Sequence, residues 1–106
     1  MEFNKIDQEN ADTNYMLGVI NLKLKEYVLS NIYLVKALEI GYSEKQELYR
    51  RLIYNYYILG DMEKVLVYFE KLLHETEVPD SDDLILAIYY QIMYGDLEVA
   101  KEWTVL

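Results

Sequence analysis

A chain of 106 residues that is 53% hydrophobic and 27% charged has the composition of one folded domain and not of a disordered segment. Its formal net charge of −9 opposes both nucleic-acid phosphate and anionic membrane, which call for clustered Lys and Arg. With no cysteine it has neither a disulfide framework nor a thiol nucleophile.

The N-terminal stretch Met1 to Asn14 is polar and acidic and lacks the apolar centre of a signal peptide. Residues 1–12 are therefore read as a flexible lead, and 13–106 as the domain. No apolar run approaches the ~18 residues of a membrane-spanning helix, so a cytoplasmic protein is expected. Hydrophobic spacing predicts helices near 13–24, 27–40, 44–59, 62–76, 81–94 and 97–105. Ser43 with Gln46 has the form of a capping box ahead of the third. Within that helix Leu48, Leu52, Tyr56 and Leu59 fall three or four apart, and Val65, Phe69, Leu72 and Leu73 do the same in the fourth. Pro79-Asp80-Ser81 marks the start of the fifth.

The corners repeat. Leu59-Gly60-Asp61-Met62-Glu63-Lys64-Val65 recurs 35 residues later as Tyr94-Gly95-Asp96-Leu97-Glu98-Val99-Ala100. One step earlier stands Leu24-Lys25-Glu26-Tyr27-Val28-Leu29-Ser30. Each glycine is expected to turn the chain in a left-handed conformation. Each following Asp is expected to cap a helix, with Glu63 and Glu98 favoured by the dipole of its first turn. Leu17 maps onto Leu52, Leu34 onto Phe69 and Ala37 onto Leu72 at the same step.

This pattern resembles the tetratricopeptide (TPR) family. Asn14, Leu17, Gly18, Asn21, Ser30, Leu34 and Ala37 occupy its first-repeat positions. Tyr49, Leu52, Ile53, Tyr56, Val65 and Phe69 occupy the second, and Leu84, Ala87, Ile88, Gln91 and Ala100 the third. The period of 35 is one longer than usual, the closing prolines are absent, and the third repeat ends early. The resemblance implies an all-α, TPR-like α-solenoid of about three antiparallel helix pairs, with repeats near 11–44, 46–80 and 81–106. More narrowly, the stretch Gln46 to Ile53, Gly60-Asp61, Val67 to Leu72 and Glu77 to Ser81 is similar to the TPR-like bacterial transcriptional activation domain. That domain follows a DNA-binding winged helix in antibiotic-regulatory-type activators.

The family's first helices line a concave groove. Carried onto this chain, that places Tyr15, Val19, Arg50, Tyr54, Tyr57, Ile85, Tyr89 and Met93 in a tyrosine-rich groove suited to a peptide or helix. Tyr15 and Val19 stand where a carboxylate clamp would need Lys and Asn, which disfavours that subtype. Arg50-Arg51 is the one adjacent basic pair. It either receives an acidic group or pairs with Glu47 on its own helix, and the second reading is preferred.

His74 stands alone without metal-ligand spacing and reads as a helix-end histidine. The acidic run around Asp80–Asp83 lacks the glycine turn of a calcium loop. Nothing in the pattern suggests an enzyme, a cofactor or a metal. The apolar end, Trp103, Val105 and Leu106, is expected to need a cover. The leading expectation is a protein-interaction scaffold, with the narrower resemblance implying the regulatory domain of a bacterial transcription activator. The alternatives are a small TPR chaperone for an aggregation-prone export subunit, and a homodimer formed through the C-terminal end.

Overall fold

The computed structural model describes residues 10–106. Most of the expected lead, 1–9, lies outside the described residues; 10–12 are the cap and first turn of a helix. Among the described residues the six helices are α1 (Ala11–Lys23), α2 (Tyr27–Ile40), α3 (Lys45–Ile58), α4 (Met62–His74), α5 (Ser81–Tyr94) and α6 (Leu97–Trp103). Each differs from its sequence expectation by no more than two residues at either end.

Three antiparallel pairs, α1 with α2, α3 with α4 and α5 with α6, stack in order through α2 against α3 and α4 against α5. The result is an all-α, TPR-like solenoid. Its extents are 50 × 28 × 17 Å and its radius of gyration is 14.8 Å, against about 13 Å for a compact domain of this length. Positions 35 apart share one environment: Leu34 and Phe69, Ala37 and Leu72, and Ser30, Val65 and Ala100 are all buried. Leu34, Ala37, Val65, Phe69 and Leu72 join Leu48, Leu52, Leu73 and Ala87 in a continuous core.

The Asp caps form as the sequence predicts. Asp61 accepts from the Lys64 N–H at 3.2 Å, Asp80 from Asp82 at 2.9 Å and Asp96 from Glu98 at 2.8 Å. The Ser43 capping box does not form. Glu44 is the N-cap of α3, and no side chain bonds the free backbone there.

Of the two repeated glycines, Gly60 is left-handed at φ +78°. Gly95 is not, with φ −124°. A Cβ on Gly95 would instead collide with Oε1 of Gln91, the atom that accepts from the Asp96 N–H at 2.8 Å. Close approach, not left-handedness, requires glycine there. At the equivalent first corner Lys25 is itself left-handed, φ 64°, and its backbone bonding matches that of Gly60.

One buried polar chain joins the first two pairs. Ser30 donates to the Gly18 carbonyl at 2.6 Å, and the Asn55 amide donates to Ser30 Oγ at 2.9 Å and to Asn31 Oδ1 at 2.8 Å. Gly18 lets α1 and α2 approach, since a Cβ there would stand 2.6 Å from Leu34.

Candidate tyrosine-lined binding face

The first helices α1, α3 and α5 lie side by side and parallel. Two contacts between α3 and α5 carry the same sequence offset. Arg50 meets Asp83, and seven residues on in both helices Tyr57 meets Tyr90 with ring centroids 5.7 Å apart. The two backbones stay apart, and long side chains span the seam between them. Between α1 and α3, Arg51 Nε donates to the Tyr15 hydroxyl at 2.7 Å.

On α3, Leu48, Leu52 and Asn55 turn into the core. Helical spacing therefore turns Arg50, Tyr54 and Tyr57 the other way. On α5, Ala87 and Gln91 are buried, and Ile85, Tyr89 and Met93 share the opposite stripe. Tyr54, Tyr57, Ile85, Tyr89 and Met93 are between 44% and 66% exposed. These five expected groove residues are thus exposed on two neighbouring helices, Tyr54 edge-on to Tyr27 of α2 at 6.3 Å and Tyr57 edge-on to Tyr90 of α5 at 5.7 Å. Val19 is half-buried on α1.

The other two expected groove residues serve packing. Tyr15 stacks on Tyr42 with ring centroids 4.2 Å apart and planes 10° from parallel, and the Arg51 guanidinium lies 5.8 Å from its ring centre. Arg50 makes a two-pronged bond to Asp83, with Nε 3.0 Å and a terminal nitrogen 2.6 Å from Oδ2. Its partner is therefore on the next repeat and not Glu47. The fork geometry of a guanidinium on a carboxylate outcompetes a pairing within one helix. Arg50 thus has its fork committed to Asp83, and Arg51 uses its Nε on Tyr15.

Tyr90 has no sign in the sequence pattern, yet it is the centre of this surface. It contacts Tyr57, Phe69, Tyr89 and Tyr94. Burial first, and then Tyr57, push its hydroxyl above the ordinary tyrosine range.

At the C-terminal end Trp103, unlike Val105 and Leu106, differs from expectation. Trp103 is 3% exposed and belongs to the core, because the short α6 turns it inward. Val105 is exposed at 84%, with Leu106 also outside. His74 ends α4, where a helix dipole favours it. On the opposite side Val28, Ile32, Val35, Tyr56 and Leu59 line an open groove of 610 Å³ with Asn31 beside them. No described helix is long and apolar enough to cross a membrane. Compared with known proteins, the chain matches no family model and no curated relative.

Proposed function

We propose that the chain is a protein–protein interaction module of the TPR type, receiving a peptide or helix on its α1–α3–α5 face. The observation that supports it is the row Tyr54, Tyr57, Ile85, Tyr89 and Met93, left open to solvent on the first helices α3 and α5. Contiguous apolar surface of this kind marks interaction sites, and tyrosine is enriched in their energetic centres. The similarity of Gln46 to Ser81 to the bacterial transcriptional activation domain supports a narrower role as the regulatory part of an activator.

Tyr54→Ala and Tyr89→Ala should each abolish capture of the native partner while the helical circular-dichroism signal survives. Both residues are about half exposed, at 48% and 52%, so their removal leaves no core cavity. Retained partner binding in both variants would rule out this face. The activator role makes its own claim: a winged helix should precede this segment in the gene's full reading frame.

A further inference from the structure

Because α1, α3 and α5 are parallel, their N-terminal ends share one edge of the tyrosine face. That edge is acidic. Asp12, Glu47 and Asp82 lie in the first turns of the three helices, and Glu44 and Asp80 are the residues that precede two of them. All five are exposed. They also act on common groups: Asp12, Glu44 and Glu47 all raise the Tyr42 hydroxyl, after burial and Tyr15. Asp80 and Glu47 likewise reach Arg50, behind its bonded partner Asp83. Lys45 is the basic residue among them, and Arg50 is consumed by Asp83.

The face itself has few polar groups to give. Arg50 is held by Asp83 and Arg51 is bonded through Nε to Tyr15, Lys23 stands with them beside Tyr54, and the exposed row offers tyrosine hydroxyls and hydrocarbon. An extended peptide would bring a backbone whose N–H and C=O groups need partners along its length. A helix satisfies those groups internally and presents side chains alone.

Taking the tyrosine face as the binding site, we infer that its occupant is an amphipathic helix with a large-apolar stripe and a flank of Lys and Arg. The stripe packs on Tyr54, Tyr57, Tyr89 and Met93. The basic flank runs over the edge formed by Asp12, Glu47 and Asp82. Charge of opposite sign at the rim steers association and sets orientation, while the apolar centre holds the complex.

Two synthetic helical peptides of about 18 residues, five turns, provide the test. They share one leucine stripe and differ only in flanks of Lys or of Glu. Binding to the full chain is measured by fluorescence anisotropy at low and high salt. The Lys-flanked peptide should bind at least about tenfold tighter than the Glu-flanked one, with affinity that falls as salt rises. Asp12→Asn with Asp82→Asn should weaken it several-fold, Tyr54→Ala with Tyr89→Ala should abolish it, and Ile32→Asp in the groove on the opposite side should leave it unchanged. Equal or tighter binding of the Glu-flanked peptide, still lost in the tyrosine variant, overturns the basic helix and leaves the face standing. Binding that survives the tyrosine variant, or disappears with Ile32→Asp, overturns the face as well. Failure of both peptides to bind overturns the helical occupant.

Discussion

At the scale of single residues, the corners at Lys25, Gly60 and Gly95 show that one motif can serve different physical reasons. Gly60 and Lys25 share a left-handed backbone, but only the glycine adopts it without the steric penalty of a Cβ, about 1 kcal/mol. Lys25→Gly should therefore stabilise the chain by about 0.5 kcal/mol, the remainder being offset by the freer unfolded state. Gly60→Ala should cost about 1 kcal/mol through backbone strain alone, because nothing stands within 4 Å of its missing Cβ. Gly95→Ala should cost more, about 2 kcal/mol, since the new methyl must displace Gln91 from the Asp96 N–H. Urea unfolding of the three variants gives the order. Equal costs at Gly60 and Gly95 would refute the distinction. The pairing of Gly-Asp at both corners was visible in the sequence. The different reason for each glycine was not, because it depends on a side chain four residues away on the preceding helix turn.

At the scale of helices, what was legible follows from local rules and what was hidden follows from packing. Spacing of apolar residues and the Asp caps set the six helices nearly in place, and the 35-residue step identified core positions such as Leu34 and Phe69. The Ser43 capping box failed because α3 begins at Lys45, after Glu44, so Ser43 stands one residue outside the cap. The stripe Tyr54, Tyr57, Ile85, Tyr89 and Met93 was expected from the resemblance to the TPR family, whose first helices line a groove. The commitments of Tyr15, Arg50 and Trp103 were not, since each rests on a residue of another helix. Arg50 and Asp83 illustrate this best: they are 33 residues apart and join the second pair to the third. The Asp83 side chain is 16% exposed and that of Arg50 40%, so solvent screens the pair and its coupling should be about 1 kcal/mol. A double-mutant cycle with Arg50→Ala and Asp83→Ala, read by urea unfolding, measures it. Strict additivity would show that the seam is held by Tyr57 and Tyr90 instead.

At the scale of the whole molecule, the unusual quantity is tyrosine, 12 in 106 residues. Many of these hydroxyls are tied into the packing. Tyr49 donates to Glu75 at 2.7 Å, Tyr56 stacks on Tyr68 at 5.7 Å, and Tyr90 packs edge-on against Tyr57 and Tyr89. Burial is the first cause that raises each of these four above the ordinary value of 10.0, and at Tyr49 the bond to Glu75 adds to it. The unfolded chain loses these protons near pH 10 while the folded chain keeps them. The folded state therefore binds more protons above that pH, and stability must fall as pH rises. Below the unfolded value the contribution is present in full. The net charge of −9 grows more negative over the same range and adds self-repulsion. The melting temperature should accordingly stay level through neutral and mildly alkaline pH and drop steeply above about pH 10. Absorbance at the tyrosinate band should rise in two stages, the later one coinciding with loss of the helical signal. Tyr49→Phe removes one of the raised hydroxyls and should soften the alkaline drop, because that position no longer has a proton to lose. A single tyrosinate transition completed while the helices remain intact would show that the packed hydroxyls do not resist ionisation.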